Sequence, residues 1–154
     1  MEELRVKKIK EGTVIDHLPP NSALIILKVL GVEKNYENII SVIMNVKSKK
    51  REIKDIIKIE GKFLEPDETG KIALIAPAAT INLIKNFEVI KKSRVELPDE
   101  INALIKCANP NCITNQKEPI TSSFIVERKE PVLLRCKFCE RVMDKKLIEQ
   151  HFLG

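Results

Sequence analysis

Four cysteines are the residues of this chain best suited to chemistry. All fall in its last third, as Cys107-Ala-Asn-Pro-Asn-Cys112 and Cys136-Lys-Phe-Cys139. A thiolate pair separated by two to four residues grips one ion from a tight turn, and two such pairs complete a tetrahedral shell. The second pair has the common two-residue spacer and the first a longer, four-residue one. With sulfur at all four positions no site remains for water or substrate, so the expected ion is one structural Zn2+ per chain. Other uses fit less well. Two disulfides would suit a secreted chain, and no secretory signal is read at the N-terminus. A redox Cys-x-x-Cys would lie beside a βαβ unit and need no second pair. Four thiolates on a divalent ion leave a double negative charge. Lys106, Arg135, Lys137 and Arg141 flank the ligands and either offset it or are ordinary surface charge.

The remaining residues offer little for catalysis. The histidines are His17 and His151, five glycines leave hardly room for a phosphate-binding loop, and no serine sits in a nucleophile elbow. The carboxylates are scattered among lysines, as on a solvated surface. The reading is a non-enzyme. What remains is a candidate anion site built from Asp16-His17, Lys54 with Lys58 four positions on, and Lys91-Lys92. Taken singly, these are what solvated lysines and a helix-capping Asp look like. A net charge of +5 favours anionic partners without naming one. With no Trp, one Tyr and five Phe, a base-stacking platform for single strands has little to build on.

Two units must position these groups. The cysteines confine the metal to residues 99–154, a piece too small to rely on its own apolar core, and residues 1–98 form the other domain. In the first unit Leu4 to Ile9 and Thr13 to Ile15 alternate as strands. Asn21 or Ser22 caps a helix from Ala23 to Leu30 that stops at Gly31. That helix is apolar nearly all round and needs cover on more than one side, which suggests a homodimer. Ile40, Val42, Met44 and Val46 mark a strand, Ser48 to Arg51 a basic turn, and Glu52 to Glu60 fits helix or strand. A short helix spans about Glu68 to Ala76, Thr80 to Ile90 reads as the last strand, and Lys91 to Glu100 as the linker. The order β-α-β-β-α-β is the ferredoxin-like split βαβ arrangement. Ser122 to Arg128 and Val132 to Cys136 pair as a hairpin beside the metal. The fold class is α+β: an antiparallel sheet domain plus a small zinc-bound antiparallel β domain. No apolar run is long enough to cross a membrane, and the expectation is a soluble, cytoplasmic chain.

Seven stretches, in order, carry a resemblance: Gly12-Thr-Val-Ile-Asp-His17, Lys54-Asp-Ile-Ile-Lys-Ile-Glu60, Ala79-Thr-Ile-Asn82, Lys92-Ser-Arg94, Cys107-x4-Cys112, Ser122-Ser-Phe124 and Cys136-Lys-Phe-Cys-Glu140. Together they make a chain that, from about Leu4 onward, resembles the regulatory chain of aspartate carbamoyltransferase. The resemblance implies a non-catalytic subunit of pyrimidine biosynthesis. Its N-terminal allosteric domain would bind CTP and ATP, with UTP as partner effector, and form a homodimer. Its zinc domain would dock on the catalytic chain, so that three regulatory dimers link two catalytic trimers. Carried onto this sequence, the base and ribose contacts fall on Val6, Ile9, Val14, Asp16, His17, Asn82, Ile84 and Val89. Lys58 and Lys92 face the phosphates and Lys54 lies near the ribose. Phe87 stands where an aromatic hydroxyl is usual, which removes any hydrogen bond from that group to the base. The alternative is a zinc-ribbon nucleic-acid-binding protein. That reading needs a basic face on the zinc domain, yet Glu118, Glu127, Glu130, Glu140, Asp144 and Glu149 lie among its lysines, and it leaves the first domain unexplained.

Overall fold

A computed structural model describes residues 8–50, 52–117 and 119–153. The expected strand at Leu4 to Ile9 lies almost wholly outside them, as does Val6. The first domain contains β1 (Gly12–Leu18), α1 (Ala23–Leu30), β2 (Ile40–Lys47), β3 (Ile53–Glu60), α2 (Pro66–Ile75), β4 (Thr80–Lys85) and β5 (Glu88–Arg94). They make one antiparallel sheet in the order β2-β3-β1-β4-β5. Strand alternation divides its residues between two faces. Ile15, Ile57, Ile59 and Ile81 point to one face and are buried with α1 and α2. The other face is polar and carries the candidate site.

Three sequence expectations change here. Thr80 to Ile90 is not one strand: the chain reverses at Asn86 and Phe87, both at positive φ (52° and 67°), and β5 returns beside β4. Asn-Phe lacks the glycine that marks such a turn, so the hairpin was hidden. Consequently Lys91 to Arg94 belong to β5, and the link to the next strand is residues 95–99, with Val95 and Leu97 buried. Second, Val46 does not share a face with Val42. A bulge between Ile43 and Val46 sets Val46 opposite Lys54, on the polar side. Third, neither Asn21 nor Ser22 caps α1 by its side chain. Asp55, fully buried on β3, accepts the Ala23 N–H at 3.0 Å and the Asn45 N–H of the bulge at 2.9 Å. One carboxylate thus ties the helix N-terminus to the neighbouring strand.

The second domain has β6 (Glu100–Asn102), β7 (Ser123–Lys129), β8 (Val132–Cys136) and β9 (Val142–Asp144), an antiparallel sheet in that order, then α3 (Lys145–Leu153). The expected hairpin is β7–β8. The final helix went unread. Asp144 Oδ1 accepts the Leu147 N–H at 3.0 Å and so starts it. α3 folds back onto α1 and α2, Leu104 lies against Gly70 of α2, and the apolar core runs unbroken from Ile15 to Ile148. The apolar sides of α1 are therefore largely covered within one chain, leaving Leu24 its exposed apolar residue at 62%. No helix among the described residues is long and apolar enough to cross a membrane.

Candidate functional site

The strand registers bring most of the predicted anion residues to one face, but Lys91, opposite Leu83, falls on the other. Val14 pairs with Lys58 on one side and Asn82 on the other, and Asn82 pairs with Lys92. Cross-strand partners share a face, so Lys58, Val14, Asn82 and Lys92 form one row across the polar side of the sheet. Toward the β4–β5 turn, Ile9, Val14, Lys58, Asn82, Ile84 and Val89 line one cavity of about 470 Å³, with Phe87 on its wall. Ile9, Val14, Ile84, Phe87 and Val89 form its apolar walls, and the Asn82 amide, the Lys8 and Lys58 ammonium groups and the Glu88 carboxylate are its polar ones. At the opposite end of the same face, His17 and Lys54 line a second cavity of about 530 Å³, together with Lys50, Thr80 and Arg94. Lys92 is exposed on the row between the two.

Asp16 and His17 sit where β1 bulges between Ile15 and Leu18. His17 has φ 59°, a left-handed backbone that His adopts more readily than most residues. Such strain gathers at functional sites. The bulge turns the His17 N–H onto Asp16 Oδ1 at 2.6 Å and brings its Nδ1 within 2.9 Å of Thr80 Oγ1. Lys54 Nζ reaches Asp16 Oδ1 at 2.9 Å. Burial works to raise the Asp16 pKa, but the Lys54 hydrogen bond and the His17 N–H outweigh it and hold the carboxyl below its ordinary value. Asp16 is thus an anion matched by Lys54. No ion pair engages Lys58, Lys92 or Arg94 among the described residues, so three cations on this face are available to an anionic ligand. Arg94 was not singled out as a site residue. Its signal was its place two positions after Lys92, on the same face of a strand that had been read as a linker.

The four cysteines converge as their spacing required. All Sγ atoms lie within 4.8 Å of one another, with Cys107–Cys139 at 3.6 Å and Cys112–Cys136 at 3.7 Å. Sulfurs about 2.3 Å from a tetrahedral ion stand roughly 3.8 Å apart, so the cage has the right size for one. Asn115 Nδ2 donates to the carbonyls of Cys107 and Asn109 at 2.9 and 2.7 Å, which folds the longer first loop into a turn. The Phe138 N–H points at Cys136 Sγ at 3.4 Å. Burial pushes the Cys107 thiol up to about 12. Burial also works to raise Cys139, but the Arg141 N–H and the Asn109 side chain bring it down to about 7. Four thiolates so close together need a divalent cation among them. Of the expected flanking cations, Arg135 is paired with Glu127 at 2.5 Å and Lys137 with Glu100, so those two are not free to offset the metal centre.

The two halves match two family models: "aspartate carbamoyltransferase regulatory chain, allosteric domain" over residues 4–96, and "aspartate carbamoyltransferase regulatory chain, metal binding domain" over residues 99–149. Among relatives, the regulatory chain of Thermococcus sibiricus is 50% identical over 153 residues, 99% of this chain and 100% of that one. Those of Methanocella arvoryzae and Pyrococcus horikoshii are each 49% identical, over 148 and 149 residues, both covering 96% of this chain and respectively 95% and 97% of their own. A split βαβ sheet with an anion-ready face, joined to a four-cysteine metal cage and matched across nearly its whole length, belongs to the family of aspartate carbamoyltransferase regulatory chains.

Proposed function

We propose that the chain is a non-catalytic, cytoplasmic nucleotide sensor that passes allosteric control to aspartate carbamoyltransferase catalytic trimers. Domains 1–98 and 99–154 divide the work. In the first, the base and ribose of CTP or ATP contact Ile9, Val14, Asp16, His17, Asn82, Ile84 and Val89, with Val6 beside them and Lys54 near the ribose. Lys58 and Lys92 take the phosphates, Arg94 extends that set, and UTP serves as partner effector. The observation carrying this reading is the row Lys58–Val14–Asn82–Lys92 running past an apolar cavity, with unpaired cations on the same face. An apolar basin with a few placed polar groups suits a base, and compact ammonium charges suit a polyphosphate. Phe87 on the wall offers its ring without a hydroxyl.

In the second domain the ion is zinc, chosen because thiolates select it and the sulfur spacing fits it. Exposed Ile113, Ile125, Phe138 and Val142 surround that centre with apolar surface for a catalytic chain. β2 is an open edge strand flanked by exposed Ile39, Val42 and Leu24, which supports a homodimer through the first domain. Three such dimers would link two trimers. Effectors shift activity only as far as they bind one state of the assembly better than another, typically by about 1–3 kcal/mol. The pairing of Arg135 and Lys137 with carboxylates speaks against a basic nucleic-acid face.

Calorimetric titration of the metal-loaded chain with CTP and ATP tests the pocket. Both should saturate one competing site, and Lys58→Ala should weaken each by roughly tenfold or more, the loss of a charge-assisted contact. Absence of binding by either nucleotide would sink the sensor reading.

A further inference from the structure

The two cysteine pairs are closed by different means. Backbone holds the short second pair: the Cys136 carbonyl accepts the Glu140 N–H at 3.0 Å, and the Cys136 N–H donates to the Arg141 carbonyl at 2.9 Å. In the longer first loop, backbone closes the second half, with the Cys112 N–H on the Asn109 carbonyl at 3.0 Å. The first half is gripped from outside, by the short 3-10 turn Ile113–Asn115 that follows the loop. Asn115, half-buried, donates through Nδ2 to the Cys107 carbonyl at 2.9 Å and to the Asn109 carbonyl at 2.7 Å. Both partners are carbonyl oxygens, so each takes one hydrogen of the amide NH2. The backbone of Asn115 is itself fixed, its N–H lying on the Cys112 carbonyl at 2.9 Å. One residue thus holds the main chain at both cysteines of the first pair. The neighbouring Gln116 adds an exposed bond from Nε2 to the Pro110 carbonyl at 3.1 Å.

We propose that Asn115, which is not a ligand, positions Cys107 beside Cys112 and thereby slows release of the metal. The inference rests on reading the four cysteines as a metal cage. Metal leaves such a cage one sulfur at a time. A loop with a four-residue spacer gains conformational freedom once a thiolate lets go, and that freedom favours escape. With the Cys107 and Asn109 carbonyls clamped, the loop has little freedom to gain, and the detached sulfur stays within reach for recapture. Asn suits the task because its side chain is short and its two donors lie in one plane. Groups that orient metal ligands in this way typically change metal affinity by about 10–100-fold.

The full-length chain is loaded with Co2+, whose thiolate charge-transfer and d–d bands report a tetrahedral sulfur site, and separately with Zn2+. Release is timed in excess pyridylazo-resorcinol. Asn115→Ala should release either ion about 10–100-fold faster, with the cobalt bands unchanged because all four ligands remain. Asn115→Leu keeps the branched shape without donors and should release as fast as Asn115→Ala, which separates hydrogen bonding from packing. Amide exchange in the zinc-loaded Asn115→Ala chain should rise at Cys112 and Asn115 while β8 keeps its wild-type protection. A wild-type chain without the tetrahedral cobalt spectrum would remove the metal reading and this proposal together. Where that spectrum is present, unchanged release in Asn115→Ala, slow release restored in Asn115→Leu, or protection lost at β8 in step with Cys112 each overturns the role of Asn115 alone.

Discussion

Single side chains in this protein tie elements together more than they act alone, and Asp55 shows it best. Its position in the Lys54–Glu60 run gave no hint of a cap, because the helix it serves lies far from it in sequence. The carboxylate satisfies Ala23 and Asn45 at once. Asp55→Ala would strand the buried Ala23 N–H and free the part-buried Asn45 N–H to water, a loss of about 2–4 kcal/mol at about 1.5–3 kcal/mol per charged hydrogen bond, part of it recovered by relaxation. Chemical denaturation of the metal-loaded variant would measure it, and a change within about 0.5 kcal/mol would mean that water replaces the carboxylate freely. The clustering of the four cysteines, by contrast, was legible as residues, since a fourfold sulfur set has few uses other than holding a metal in such a spacing.

Among the elements, legibility followed the strength of local periodicity. α1 runs Ala23–Leu30 as read from its cap and its glycine. The Glu52–Glu60 ambiguity resolves to a strand because Asp55, Ile57 and Ile59 all face the core, which only a period of two allows. The β4–β5 hairpin hid behind a turn without glycine. The last helix was missed although Asp144 starts it and Leu147, Ile148, His151 and Phe152 recur on one side at helical spacing. α2 carries its own weak point at Gly70, where an added Cβ would meet Leu104 Cδ2 at 3.4 Å, an ordinary contact. Gly70→Ala should therefore stabilise by about 0.5–1 kcal/mol and raise the thermal midpoint by about 1–4 °C. A lower midpoint would show that Leu104 cannot yield and that the domains fit more tightly there than the spacing implies.

At the scale of the whole molecule the metal holds up more than its own loop. A domain of about fifty residues has a thin core, and a structural thiolate site adds an apparent 10–16 kcal/mol, about the whole stability of a small domain. Chelation should melt β6 to β9, read as loss of exchange protection at β8. It should also release catalytic trimers, read by sedimentation. A chelated chain that stayed assembled would refute the structural role of the ion. The order of the chain adds a consequence for its biosynthesis. α1 and α2 leave the ribosome early, but the helix that covers them is made later, after both cysteine pairs. Since domains fold as they emerge, at about 5–20 residues per second, the sheet domain spends seconds with Ile25, Leu27 and Val29 less covered than in the finished fold. Chains cut short before Lys145 would keep that surface open permanently, and even a metal-replete cell would lose them to aggregation or proteolysis.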